Sequence, residues 1–470
     1  MIKLQYKLPF ALFAWALGAS QAQDPEVVLK PLSISGQFDN GQIVKGHTHK
    51  DVLTGFGNIE MKMDYFNRTS VWLTQEATIL ERFTLSVGIG GVLWYTSPQL
   101  TRDPLTMQAM FGPGISQAQG VYTWGDLADP SAKLQVGYFP YKYNADSKNL
   151  GEYLMRSGTY PGTLMTGGWN MISSAAFMVQ GARVNYPMLG GKLQNDFIVA
   201  METNLPPLFS LTPAYVATLK PINGITVGAG VACNHCISAK PSRESPKDPA
   251  NSYITGTGVD SGSGEYRYRI DRDSNQYYTF QGIKLSANAS VDPKAFIPTG
   301  DLLGPEDLKV YGEIALLGVK NYPHYYEKRT ERMPVMMGVN LPAFKLLDVL
   351  SLEVEYYNNQ FANNYSNVLY DAYPTWPEFN DATGYGTLAE LQAVVDAEKA
   401  YNDKWNSHDN WKWTVYAKKN VTKGVRIYAQ AASDHLRTIN FNLGPFPSYV
   451  PVTNKNGKEW YYLIRLEFGI

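Results

Sequence analysis

Cysteine is almost missing from this chain: 470 residues contain two, Cys233 and Cys236, in the run Cys-Asn-His-Cys. A disulfide framework or a four-ligand zinc site needs more, so the expectation is one small local disulfide, ahead of a redox pair or a metal site. An excess of either charge is also missing. Lys plus Arg number 41 against 42 Asp plus Glu, which leaves no electrostatic footprint for nucleic acid. Beyond the N-terminus no apolar run approaches the roughly 18 residues of a membrane-spanning helix. Helical periodicity is nearly absent too, which excludes an α-helical membrane protein.

Catalytic signatures are equally scarce. There is no phosphate-binding loop, dinucleotide fingerprint or Gly-x-Ser-x-Gly elbow. Six histidines are scattered, His47, His49, His235, His324, His408 and His435. His435 follows Ser433 and Asp434, but neighbours on a strand point to opposite faces, so the three do not form a triad. His47-Thr-His49 lacks further ligands and reads as a solvated segment. Asp271-Arg-Asp273-Ser-Asn275 opens like a calcium loop, yet Gly282 and Ile283 stand where its closing acid belongs. No enzyme, metal site or cofactor is expected.

What is present begins at the N-terminus. Lys3 and Lys7 precede an apolar run from Leu8 to Leu17, and Ser20-Gln21-Ala22 follows as a small-x-small cleavage pattern. Residues 1–22 read as a signal peptide and 23–470 as one exported domain. The chain carries 32 Tyr, 10 Trp and 41 Gly at a mean hydropathy of -0.26. Apolar and polar residues alternate at period two through most of it. Ile283, Leu285, Ala287, Ala289 and Val291 oppose Lys284, Ser286, Asn288 and Ser290, and Leu350, Leu352, Val354 and Tyr356 oppose Ser351, Glu353 and Glu355.

This alternation places strands at 31–40, 58–80, 83–97, 119–127, 132–144, 171–187, 191–203, 213–220, 223–237, 275–291, 308–321, 327–341, 348–361, 410–419, 424–437 and 458–470. Long and short connections alternate between them. Segments 98–118, 145–170, 238–274, 362–409 and 438–457 are long, whereas those after even-numbered strands are short, 292–307 excepted. The predicted fold is therefore all-β, a transmembrane antiparallel barrel of about sixteen strands, within bounds of roughly 14 to 18. Long loops lie outside the cell and short turns in the periplasm. Aromatic pairs at the long-loop ends, Trp94-Tyr95, Tyr277-Tyr278, Tyr325-Tyr326, Tyr356-Tyr357, Trp411 with Trp413, and Trp460 to Tyr462, are expected to form one interfacial girdle. Phe83, Tyr186 and Phe468 are candidates for a thinner second one.

The face opposite the apolar one carries Lys62, Asp64, Arg68, Glu76, Lys284, Glu313, Glu353, Glu355, Lys412, Lys418, Arg426, Asp434, Arg465 and Glu467. Charges against lipid would cost several kcal/mol each at the midplane, so these fourteen are the pore-lining candidates of a water-filled interior. Their signs are mixed, and strong ion selectivity does not follow. Leu388, Leu391, Val394 and Val395 share one face at helical spacing, so residues 387–401 are expected to form a short amphipathic helix within the loop 362–409.

In its signal peptide, strand number, loop parity, aromatic rims and terminal amphipathic strand, the chain resembles bacterial outer-membrane porins. Porin-type barrels usually end on an aromatic residue. Here Ile470 is last and Phe468 keeps the apolar register. The resemblance implies a Gram-negative outer-membrane channel for passive diffusion of small hydrophilic solutes, sugars among them, surrounded by lipid and assembling as a trimer. By analogy with porins, loops 98–118 and 145–170 are the candidates to fold inward as a constriction. The alternative is a surface-binding protein or adhesin in which loops such as 238–274 and 362–409 bind a ligand and the barrel is an anchor.

Overall fold

In the computed structural model the described residues are 27–48, 60–96, 109–155, 177–201, 211–234, 236–237, 282–298, 300–319, 328–357, 396, 400, 410–434, 452–453 and 458–470. Period two drives most of them into strands: β1 (Val27–Leu29), β2 (Ser33–Thr48), β3 (Glu60–Ile79), β4 (Phe83–Thr96), β5 (Ala109–Gly125), β6 (Pro130–Tyr141), β7 (Phe177–Met188), β8 (Leu193–Met201), β9 (Leu211–Leu219), β10 (Ile225–Asn234), β11 (Gly282–Val291), β12 (Val310–Leu316), β13 (Val335–Asn340), β14 (Val349–Tyr356), β15 (Trp411–Thr422), β16 (Val425–Ser433), β17 (Val452–Thr453) and β18 (Trp460–Gly469). Among the described residues, helix is limited to three short 3₁₀ pieces in connections, Pro293–Ala295, Gly300–Leu302 and Arg329–Arg332, and to Asp396 and Ala400.

Sixteen of the strands close on themselves, each pairing antiparallel with its neighbours. The seam joins β18 to β2, from Trp460↔Lys45 to Gly469↔Ser35, and β16 supplies the other partner of β18. The two remaining strands are short additions: β1 continues the edge along β3, and β17 pairs with β2 at Thr48 and His47. Closure leaves no long unpaired edge, which is what a sheet needs in hydrocarbon. The fold is porin-like, a closed sixteen-stranded antiparallel barrel.

Alternation now acquires two sides. Along β11, Lys284 and Ser286 are buried while Ile283 and Leu285 are exposed. Along β18, Tyr461, Leu463 and Arg465 are buried while Tyr462, Ile464 and Leu466 are exposed. Phe38, Val71, Ile89, Phe197, Ile314, Met337, Val415 and Ile427 extend the exposed apolar face around the barrel. A soluble protein rarely leaves so continuous an apolar surface uncovered. A lipid-facing wall does so by design.

Several sequence expectations shift. The first barrel strand runs to Thr48 rather than stopping at 40, and the fourth starts at Ala109, so half of the expected loop 98–118 is wall. Gly41, Gly46, Gly112, Pro113 and Gly114 read locally as breakers, but pairing with β3 and β4 overrides them. Within the expected loop 438–457, Val452 and Thr453 form β17. The aromatic rims also divide. Tyr356 and Trp411 stack outside with centroids 4.7 Å apart, and Trp413 meets Trp460 at 6.5 Å. Tyr357 and Tyr461, however, are buried on the inner side, because neighbours on a strand face opposite ways. Tyr277, Tyr278, Tyr325, Tyr326, the side chains of Trp94 and Tyr95, His49, the 271–275 segment and loop 238–274 lie outside the described residues. So does loop 362–409, except for Asp396 and Ala400, both helical.

A candidate constriction inside the barrel

After Tyr141 the chain leaves the wall and turns inward. Tyr141 is anchored first: its hydroxyl donates to Asp196 Oδ2 at 3.0 Å, and the Arg183 guanidinium, itself donating to Asp196 at 2.9 Å, lies 5.0 Å from its ring centroid. Beyond it Tyr143, Leu154 and Met155 join Phe139, Val179, Ile198, Ala200, Ala214, Val216 and Ala232 in an apolar patch on the inner face of β6 to β10. Leu150 and Tyr153 join a second patch with Tyr311, Ala315, Leu317, Met336 and Tyr357 on the β12 to β14 side. Segment 142–155 thus bridges strands that are far apart around the wall, which it can do only through the interior.

Two wall carboxylates fasten it there. Glu313, on β12, accepts from the Tyr143 hydroxyl at 2.5 Å, Asn144 Nδ2 at 2.9 Å, and the backbone N–H groups of Glu152 and Tyr153 at 3.0 and 2.9 Å. Glu353, on β14, accepts from three consecutive backbone N–H groups, Lys148, Asn149 and Leu150, at 2.5, 2.9 and 2.8 Å, and from the Tyr311 hydroxyl at 2.9 Å. Successive N–H groups converging on one anion form a nest. Asn149 Nδ2 also donates to Asp434, and the Tyr153 hydroxyl to Glu355 at 2.7 Å. Each acceptor is a carboxylate, and hydrogen bonds to ionised acceptors are roughly twice as strong as neutral ones.

The turn that makes this docking possible is left-handed at two successive residues, Gly151 with φ +83° and Glu152 with φ +61°. At Gly151 a Cβ would come within 2.7 Å of Met336 Cε, so glycine serves both the dihedral and the close approach. From below, connection 292–309 meets the same segment. Lys148 Nζ lies 3.7 Å from Glu306, Lys309 Nζ lies 3.6 Å from Asp146, and Asn340 Nδ2 holds the Glu306 carbonyl at 2.9 Å. That contact gives the exceptional length of this one turn a structural role.

The Glu152 side chain turns back on its own segment. It accepts from the Asn144 N–H at 2.7 Å and the Tyr143 N–H at 3.4 Å. Burial, and then the Glu313 carboxylate nearby, raise its carboxyl to about 8. Burial, followed by Glu313, also pushes the Tyr143 phenol well above its ordinary value, so it stays a donor.

The fourteen charged candidates separate into groups. Glu313, Glu353, Glu355 and Asp434 are brought together by segment 142–155, as above. Arg68 and Arg465 meet instead on Asp39, which accepts from both Nε atoms at 2.7 Å and from Gln37 at 2.8 Å. Lys284 and Lys412 are buried. Towards the short-turn end, Arg426 pairs with Glu467 at 2.8 Å, Lys418 lies 5.7 Å from the Tyr428 ring centroid, and Glu76 pairs with Lys30 at 2.6 Å. Lys62 is exposed, and the Asp64 side chain lies outside the described residues. Eight of the fourteen, Arg68, Lys284, Glu313, Glu353, Glu355, Lys412, Asp434 and Arg465, are buried. The sequence reading omitted Asp39, Tyr143, Asn144, Asn149, Gly151, Glu152 and Tyr153. Parity with Gln37 would have found Asp39; the others belong to a segment with no periodicity to read.

Cys233 and Cys236 form a disulfide, with Cα atoms 5.4 Å apart.

No protein-family model and no curated protein sequence matches the chain. Among solved structures it is similar to variants of the porin of Rhodopseudomonas blastica. One triple variant shares 10% identity at a TM-score of 0.41, with 94% of this chain and 100% of that one aligned. A second variant gives 10% and 0.39 over the same shares. A structure described under asymmetric conductivity of engineered proteins gives 10% and 0.39, with 95% of this chain aligned.

Proposed function

We propose that this porin-like barrel is a channel of a Gram-negative outer membrane, through which small hydrophilic solutes pass by diffusion. The observation that carries the reading is segment 142–155, fixed inside the barrel by wall carboxylates rather than lying on the rim. A sixteen-stranded barrel is wide enough to leave an aqueous passage, and an inward segment narrows it to a sieve. The exposed apolar belt supports a lipid surround, and a trimer is part of the same reading. Sugars belong to the solutes admitted, as neutral molecules of matching size. Ser433, in the one Ser-Asp-His run, donates its hydroxyl to the Glu459 carbonyl at 2.6 Å, a structural use that gives hydrolysis no support.

Purified, folded protein reconstituted into planar bilayers is expected to give stepwise conductance, and proteoliposomes are expected to swell in isosmotic solutions of small sugars but not of large dextrans. Folded protein that carries no current would overturn the reading. Chemical cross-linking in native membranes tests the trimer.

A further inference from the structure

Glu152 and Glu313 are two carboxyls held by the same pair of residues. Asn144 gives its backbone N–H to Glu152 and its side-chain amide to Glu313, at 2.7 and 2.9 Å. Tyr143 gives its N–H to Glu152 and its hydroxyl to Glu313. The backbone of Glu152 itself donates to Glu313 at 3.0 Å. Both side chains are only 3% exposed, and among the described residues neither has an ion-pair partner. Glu313 has four donors, and Glu152 two, the second of them long. Two like charges in one dry site cannot both be tolerated, and the less solvated carboxyl is the one to keep its proton.

The surroundings agree. On the segment itself the Lys142 ammonium, which donates to the Ser147 carbonyl, works against the rise at Glu152, and Asp146 faces Lys309. From β14 come two further carboxylates, Glu353 and Glu355, both occupied by segment donors. From β6 and β8, Tyr141 and Asp196 add one more acid, paired with Arg183. Lys148, next along the segment, pairs with Glu306, Lys412 on β15 stands opposite Glu355 in the sheet, and Lys284 and Arg332 are buried beside β12.

We propose that a proton on Glu152 holds segment 142–155 against β12, and that loss of this proton frees the segment to swing into the passage. Only the electrical consequence rests on the channel reading. The sign follows from linkage. Docked Glu152 titrates at about 8, whereas a released glutamate titrates at about 4.3. Below about pH 4.5 both forms are protonated and docking is firmest. Between about 4.5 and 8 docking takes up a proton and weakens by up to roughly tenfold per pH unit; above 8 it is level at its weakest.

Amide exchange protection factors of Glu152 and Tyr153, measured on the folded full-length protein between pH 5 and 9, test this without any current. They are expected to fall by up to about tenfold per unit and to level off above pH 8, while the amides of Leu352 and Val354 in the wall stay constant. Glu152→Gln is expected to abolish the slope. A flat wild-type profile overturns the proposal, even where the variant fails to fold, and so does the same slope in a folded Glu152→Gln. In bilayers, channel closures should become more frequent between pH 5 and 8 in the wild type only. No current at any pH would defeat the channel reading and leave the exchange test standing.

Discussion

Glu353 points inward because Leu352 and Val354 point out, and three backbone N–H groups of segment 142–155 end on its carboxylate. Replacing it by alanine strands these donors and the Tyr311 hydroxyl in a buried site, at about 1–3 kcal/mol for each group left unpaired. Glu353→Ala is expected to release residues 148–150 to fast amide exchange while the barrel keeps its melting temperature. Gly151→Ala should act on the same segment from the other side. It places a Cβ against Met336 at a residue with φ +83°, costing about 1–2 kcal/mol from the dihedral alone. Both variants should leave the heat-modifiable gel shift of the barrel unchanged. Parity along the sequence was enough to face Glu313 and Glu353 inward. It could not supply their partners on segment 142–155, because those lie 160 or more residues away in a segment whose conformation depends on the wall it meets.

At the scale of elements, strand number and loop parity were legible because the two faces of a closed barrel wall differ in polarity and impose period two on its strands. Strand ends were not legible, since a glycine or proline near a rim reads as a turn until a neighbouring strand pairs with it, as Gly91 does with Pro113. The disulfide is a case where a short motif and a register explain each other. β10 pairs with β9 as far as Ala232↔Ala214, and the next bridge joins Leu211 to Ile237. Three steps on β9 therefore match five beyond Ala232, and the Cys233–Cys236 bridge closes the two-residue bulge. Two extra residues preserve the inner and outer faces, where one would invert them. Reduction is expected to free the Ile237 pairing and nothing below Ala232. The chain-entropy contribution of so short a loop is roughly 2 kcal/mol or less. Exchange at Leu211 and Ile237, compared with exchange at Val227 and Val231 with and without reductant, measures it; loss of the whole barrel would contradict the assignment.

For the whole molecule the decisive features are the exposed apolar belt and the seam. Ile464 is 54% exposed in the middle of β18, where a soluble protein would tolerate arginine within about 0.5 kcal/mol and a lipid-facing strand would lose about 2–4 kcal/mol. Denaturant titration of Ile464→Arg in vesicles distinguishes the two. The seam gives a sharper test, because β2 and β18 are the barrel neighbours farthest apart in sequence and local structure cannot form them. Gly36 pairs directly with Phe468, and the Phe468 ring lies over the place where a Cβ would stand. Covering a strand glycine with a cross-strand aromatic stabilises a sheet at a position that has no side chain of its own. Gly36→Leu should therefore lift the ring and strain the closing pair, by about 1–3 kcal/mol as overpacking, and slow the appearance of the compact gel form on refolding. Phe468→Ala alone should weaken the same pair by leaving Gly36 bare. The double variant restores a side chain over the gap, so it should be less destabilised than the two single changes added together. Strict additivity would mean that the two residues do not meet, and that the barrel is not closed at β2 and β18.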